Sequence, residues 1–282
     1  MGTAGSGQNY NGIYTGSLLS MGSGWSAAGS AFTTGGSFYT ASSTTGNLAT
    51  TPLGVVDTFV IGYAKLSGGG SFSYNIDGGS NTTVSTNNGS NAAGFTTVTA
   101  SSPGNHTLNI NWVSGTVYVG LVYAYNSANK NVIFLNGGWG GSTTCNNWDN
   151  SATSPYGPIG MMAAISPAVT MIDLGINDWG VNTVASVKTC LQDIITKSAG
   201  NVILVTPFPS ATSVATVSVQ QQYINMYYQL ADANNIPLID QYNMFVSNAN
   251  AVTYGFDYDT KHPNGVGYAD ESRLLATALL AP

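Results

Sequence analysis

The apolar run Met171-Ile172-Asp173-Leu174 leads into Gly175-Ile176-Asn177-Asp178, and some eighty residues later comes Asp259-Thr260-Lys261-His262. These residue types suit acyl-transfer chemistry. An Asn carboxamide at a strand end can donate to a developing oxyanion, and the Asp beside it can hold the turn through backbone hydrogen bonds. An Asp three residues before a His can reach one imidazole nitrogen in a compact turn, leaving the other to take a proton from a hydroxyl. Asn-Asp is also ordinary turn chemistry. A third stretch, Asn136-Gly137-Gly138-Trp139-Gly140-Gly141-Ser142-Thr143-Thr144, either aims backbone N–H groups at an anion or is a tight turn with no ligand. The chain has two histidines. His106 sits in a strand pattern, where a packed or exposed role is expected.

Two kinds of element must carry these residues. Residues 1–54 are dominated by Gly, Ser and Thr, with isolated anchors at Trp25, Phe32 and Phe38, and read as irregular chain packed on other elements. Five short strands follow, at 58–64, 71–76, 95–100, 106–112 and 116–125, separated by turn signals such as Asp77-Gly78-Gly79 and Pro103-Gly104. Alternation of the kind seen at Leu108, Ile110 and Trp112 predicts a small antiparallel sandwich. Beyond residue 130, apolar runs at 132–135, 170–174, 202–205 and 237–239 read as buried parallel strands. Val184, Val187, Leu191, Ile194 and Ile195 recur at helical spacing with Gly200 as a stop. Ile224, Tyr227, Leu230 and Ala231 mark a helix over 217–234, and a last helix covers 267–280. Strand and helix alternate, which predicts a doubly wound α/β layer. The expected division is 1–54 as an irregular segment of the α/β domain, 55–128 as a β-sandwich insert, and 129–282 as the α/β domain itself. In such a sheet ligands lie outside the carboxyl ends of the strands, where all three stretches fall.

Composition narrows the partners. Hydrophobic residues make up 43% of the 282, charged residues 6%, and six Lys+Arg stand against twelve Asp+Glu for a net charge of −6. Without basic clusters, nucleic acid and an anionic membrane are not expected as partners. No stretch of eighteen or more apolar residues suggests a membrane span, and no secretory signal is visible at the N-terminus. The neutral, hydroxyl- and amide-rich texture is that of many secreted or virion-surface proteins, so an extracellular or virion-surface location is expected. Cys145 and Cys190 have no metal-ligand spacing and are either two buried thiols or one bridge. No metal or cofactor is implied.

In this order the three stretches resemble the second, third and fifth conserved blocks of the SGNH hydrolases, also called the GDSL esterases. The resemblance covers about residues 131–282. It implies a flavodoxin-like three-layer α/β/α domain and a serine-type ester hydrolase. It assigns Gly141 and Asn177 as oxyanion donors, Asp259 as orienter and His262 as base, with Gly175 and Asp178 in support; Pro263, Asn264 and Gly267 continue the likeness. The intervening sandwich resembles inserts in some phage-tail and secreted esterases of the family. The implied substrate is an acylated polysaccharide or small ester, with O-acetyl removal from a surface polysaccharide as the reaction. A homo-oligomer, trimeric in a phage tail, is suggested by analogy.

The family's first block, Gly-Asp-Ser, does not occur in the chain. Gly2-Thr3-Ala4-Gly5-Ser6-Gly7 resembles the residues that often follow that serine, so the nucleophile is expected just upstream of Met1. Ser6 is the candidate within the chain, and Ser142 is expected to hydrogen-bond its own turn. The competing reading is a non-catalytic glycan-binding or phage-tail receptor-binding module on the same scaffold.

Overall fold

In the computed structural model the described residues are 18–29, 37–52, 54–129, 133, 135, 137–138, 140–149 and 154–280. They fall into two units, Met1–Gly140 with Ser151–Ile165, and Gly141–Asn150 with Ser166–Pro282.

The first unit is built from ten strands and one helix. The strands are β1 (Leu18–Met21), β2 (Ser26–Gly29), β3 (Ser37–Ala41), β4 (Asn47–Thr51), β5 (Val56–Lys65), β6 (Ser71–Ile76), β7 (Thr82–Ser85), β8 (Ala92–Gly104), β9 (Leu108–Ser114) and β10 (Val117–Tyr125). They form two antiparallel sheets, ordered β1-β4-β9-β6-β7 and β2-β3-β10-β5-β8. One apolar cluster is common to both: Leu48, Phe72, Leu108 and Ile110 from the first sheet meet Phe59, Ile61, Tyr63, Val117 and Val119 from the second. Period-two alternation explains the split. Leu108 and Ile110 point inward, while Asn109 and Asn111 face away. On that outer face Asn47 Nδ2 donates to Asn109 Oδ1 (2.9 Å) and Asn109 Nδ2 to Asn75 Oδ1 (3.1 Å).

β5 departs from alternation, because nine of its ten residues are buried. Phe59, Ile61 and Tyr63 enter the shared core, and Val60, Gly62 and Ala64 are buried on the other face, where Gly62 lies beside Met161 of α1 (Pro158–Ile165). A Cβ on Gly62 would come within 3.0 Å of Met161 Cε. Thus α1, expected within the α/β region, belongs with the sheets.

The reading of 1–54 as irregular is corrected for its described part, which supplies β1 to β4. The polar composition hid them. β4 buries Leu48 and Thr50, so a threonine occupies an inward position that a hydrophobic pattern would not register. Phe32 lies outside the described residues. The strand expected at 95–100 runs from Ala92 to Gly104, and β7 was not anticipated.

The second unit is α/β. β11 (Val169–Asp173), β12 (Asn201–Val205) and β13 (Leu238–Ile239) form a parallel sheet in that order. The helices are α2 (Val184–Lys197), α3 (Val217–Asn234), α4 (Gln241–Phe245), α5 (Asn248–Thr253) and α6 (Gly265–Leu280). Ile203, Val205 and Ile239 pack with Leu274 and Leu275 of α6, while Ile172 and Leu204 are buried on the opposite face, so the sheet is covered on both sides. α2 opens at Thr183, whose side chain accepts from Ser186 N, and α3 opens at Thr216 in the same way. α3 ends at Asn235 in the left-handed conformation. α2 is capped by Ser198 rather than by Gly200, which lies beyond with φ +74°; a Cβ there would overlap Pro167 O. α6 starts two residues earlier than expected, since Asn264 Oδ1 accepts from Val266 N (2.9 Å) and Gly267 N (3.0 Å). Two of the four residues of the strand expected at 132–135 lie outside the described residues, and the other two, Ile133 and Leu135, are not in a strand. The β11-β12-β13 order runs sequentially, so no doubly wound reversal occurs among the described strands.

Candidate active site

All the described site residues belong to the second unit, in two groups. The first is the turn after β11. Gly175 takes φ +106°, a conformation that side chains rarely adopt, and a Cβ there would overlap the hydroxyl of Tyr227. That hydroxyl donates to Leu174 O. Tyr223, also in α3, donates to Asp178 O (3.2 Å) and to Asn182 O. Two fully buried phenols thus hold the turn from behind.

Asp178 is completely buried, and its carboxylate accepts from Thr144 N (2.9 Å), Thr144 Oγ1 (2.7 Å) and Asn182 Nδ2 (2.7 Å). Three donors thus satisfy the buried carboxylate oxygens in place of water. They tie the turn to the glycine-rich stretch. Asn177 Nδ2 adds a second tie, donating to Ser142 O (3.2 Å). One amide hydrogen is thereby used to orient the carboxamide, and the other remains for a ligand. Gly141, with φ +77° and open space where a side chain would stand, sits next to Ser142. Asn177 and Asp178 of the turn are thus bonded to Ser142 and Thr144, which directly follow Gly141.

Ser142 does hold its turn. It is buried, and its hydroxyl accepts from Trp148 Nε1 (2.9 Å). Asn147 Oδ1 accepts from Thr143 N (2.8 Å) and Thr143 Oγ1 (3.1 Å). The segment continues as a short π-helical turn, Thr144–Asp149. A disulfide joins Cys145 to Cys190 of α2, with Cα atoms 5.3 Å apart, which settles the choice between thiols and bridge.

The second group is the loop before α6. Asp259 accepts from the backbone N–H of Lys261 (2.6 Å) and His262 (2.9 Å), and its other oxygen lies 2.9 Å from His262 Nδ1. Partial burial pushes the Asp259 carboxyl up, but the hydrogen bonds from His262 and these N–H groups outweigh it and hold its pKa below the usual value. With Nδ1 engaged, Nε2 is the nitrogen that can accept a proton. Asn264 Nδ2 closes the loop on Gly255 O (2.6 Å) and Asp257 O (3.3 Å). Both groups rest on one apolar cluster, in which Ile176 and Phe256 pack against Phe208, Phe245 and Ala251.

His106 is elsewhere, in the first unit. Its Nδ1 faces Asp77 Oδ2 at 2.6 Å and its Nε2 faces Ser102 O at 2.8 Å, which is a structural pairing. Ser6 lies outside the described residues. Among the described residues no group of three or more His, Cys, Asp or Glu could hold a metal ion, and no helix is long and apolar enough to cross a membrane.

The arrangement now has both an oriented base and an oriented amide donor. A family model, the GDSL-like lipase/acylhydrolase family, matches residues 98–269, more than half of the chain. The chain belongs to that family. It is accordingly a carboxylic ester hydrolase of the α/β class. None of the curated proteins matches it. Among solved structures, a lipase/acylhydrolase from Enterococcus faecalis is 21% identical, over 51% of this chain and 73% of that one, with a TM-score of 0.43. An acetylxylan esterase from Geobacillus stearothermophilus is 17% identical, over 58% and 74%, at 0.41. A family 2 carbohydrate esterase with a carbohydrate-binding domain, from Corynascus thermopiles, is 15% identical, over 94% and 99%, at 0.40.

Thr144, Tyr223, Tyr227 and Asn182 were not singled out from sequence. Thr144 closes the glycine-rich stretch and Tyr227 sits at helical spacing in α3, and neither pattern marks a site residue.

Proposed function

We propose that the chain hydrolyses O-acyl esters on a neutral polysaccharide, with Asp259, His262, Asn177 and Gly141 as its catalytic groups. The observation that carries this reading is the Asp259–His262 pair, oriented by three hydrogen bonds on the loop before α6. A serine attacks the ester carbonyl while His262 Nε2 takes its proton, and Asp259 stabilises the imidazolium. The second amide hydrogen of Asn177 and the N–H of Gly141 receive the oxyanion. Collapse expels the sugar alkoxide, which takes the proton from His262, and water then releases the acyl group by the same route. No serine among the described residues is assigned as the nucleophile.

Two features support a sugar ester. Tyr254 and Tyr258 on the same loop are about 70% exposed (70% and 71%), which leaves their rings open to stack on a pyranose. The chain is only 6% charged and rich in amides and hydroxyls, which suits an uncharged glycan. A location outside the reducing cytosol, whether secreted or on a virion, fits the Cys145–Cys190 bridge. The test is acetate release from acetylated xylan beside cleavage of long-chain p-nitrophenyl esters. Preference for the acetylated glycan supports the reading; preference for long acyl chains overturns the substrate class, and glycan binding without turnover points to a receptor module.

A further inference from the structure

The segment 142–149 holds itself together and touches both oxyanion candidates. Asn147 and Trp148 bind back to Thr143 and Ser142, Thr144 caps Asp178, and Ser142 O orients Asn177. The Cys145–Cys190 disulfide, one residue after Thr144, ties this segment covalently to α2.

We propose that the Cys145–Cys190 bridge is a positioning element for the oxyanion donors, so that ester hydrolysis depends on its redox state. The proposal rests on the assignment of Asn177 made above. Opening the bridge with a dithiol converts Cys145 and Cys190 to two thiols, and the reagent, losing two electrons and two protons, becomes the disulfide. Thr144 then keeps its bonds to Asp178 but loses the covalent tie to α2 beside it. As Thr144 shifts, Asp178 loses buried acceptor partners and Ser142 O moves off Asn177, leaving the carboxamide free to rotate. Substrate contacts on the loop before α6 are untouched. The loss therefore falls on the transition state and not on substrate binding.

The experiment compares the oxidised protein with the same protein reduced by dithiothreitol, below the melting temperature of the reduced form. Three quantities are read: kcat and KM for p-nitrophenyl acetate, hydrogen exchange at the Thr144 amide, and the Asn177 side-chain resonances in a 15N–1H spectrum. Reduction should lower kcat at least about tenfold with KM within about twofold, as expected for a displaced oxyanion donor. Thr144 exchange should accelerate and the Asn177 resonances should move. Should reduction unfold the unit, Thr144→Val with the bridge intact reads the same link, since it removes the hydroxyl bonded to Asp178. Unchanged exchange and Asn177 resonances on reduction, or unchanged kcat despite their movement, overturn the proposal. Absence of turnover in both redox states counts against the catalytic assignment instead, and the exchange and resonance readings then decide the bracing.

Discussion

Gly175→Ala should be among the most damaging single-methyl additions in the α/β unit. Two costs add. At φ +106° an L residue stores on the order of 1–3 kcal/mol of backbone strain. The new methyl also overlaps the Tyr227 hydroxyl and lies 3.5 Å from Pro207 Cγ. Tyr227 is fully buried, so its ring has nowhere to go, and overpacking of this kind costs about 1–3 kcal/mol. Together they predict a destabilisation of about 2–6 kcal/mol, read as a fall in denaturant midpoint at constant slope. Tyr227→Phe alone should cost about 1–3 kcal/mol by leaving the Leu174 carbonyl unpaired. In the double variant the overlap is gone while the strain stays, so the combined loss should fall short of the sum by about 1–2 kcal/mol. Two results would refute the reasoning: Gly175→Ala within about 0.5 kcal/mol of wild type, or a strictly additive cycle.

Two pH-dependent effects follow from buried or paired groups. Burial, then the charge of Asp173, pushes the Glu271 carboxyl up to about 8 despite a hydrogen bond with Gln241. A raised acid favours the folded state below its unfolded pKa, near 4.5, and that advantage is lost as pH climbs through about 8. Glu271→Gln should therefore gain stability over wild type between pH 5 and 8.5 in denaturant titrations, and an equal difference at both pH values would contradict this. His106 titrates above its ordinary value because of its hydrogen bonds with Asp77 and then Ser102 O. Its contribution to the first unit is complete below pH 6.5 and declines as pH rises through the folded pKa. A proton NMR titration placing His106 at or below 6.5 would remove the basis for this.

Much of the α/β unit was readable because its signals are local. Apolar spacing places α3 over 217–234, where it lies, and Asp-x-x-His needs only a short turn to bring carboxylate and imidazole together. The first fifty residues were not readable, because strands such as β2 (Ser-Ala-Ala-Gly) carry no alternation of their own and take their place from neighbouring β3. The bracing of the Gly175–Asp178 turn was hidden for another reason. Periodicity shows that Tyr223 and Tyr227 face inward, yet says nothing of where their hydroxyls end. The bridge was equally beyond sequence, since spacing does not reveal whether two side chains meet.

Asn177 and His262 serve one transition state in the proposed reaction. The most direct measurement is kcat/KM for p-nitrophenyl acetate in His262→Ala, Asn177→Ala and the double variant, all shown to be folded. His262→Ala should cost at least about a thousandfold and Asn177→Ala about a hundredfold or more, with the double variant little worse than His262→Ala, because groups acting as a unit are non-additive. Turnover unaffected by His262→Ala, or losses that multiply as if the two residues acted independently, would contradict it.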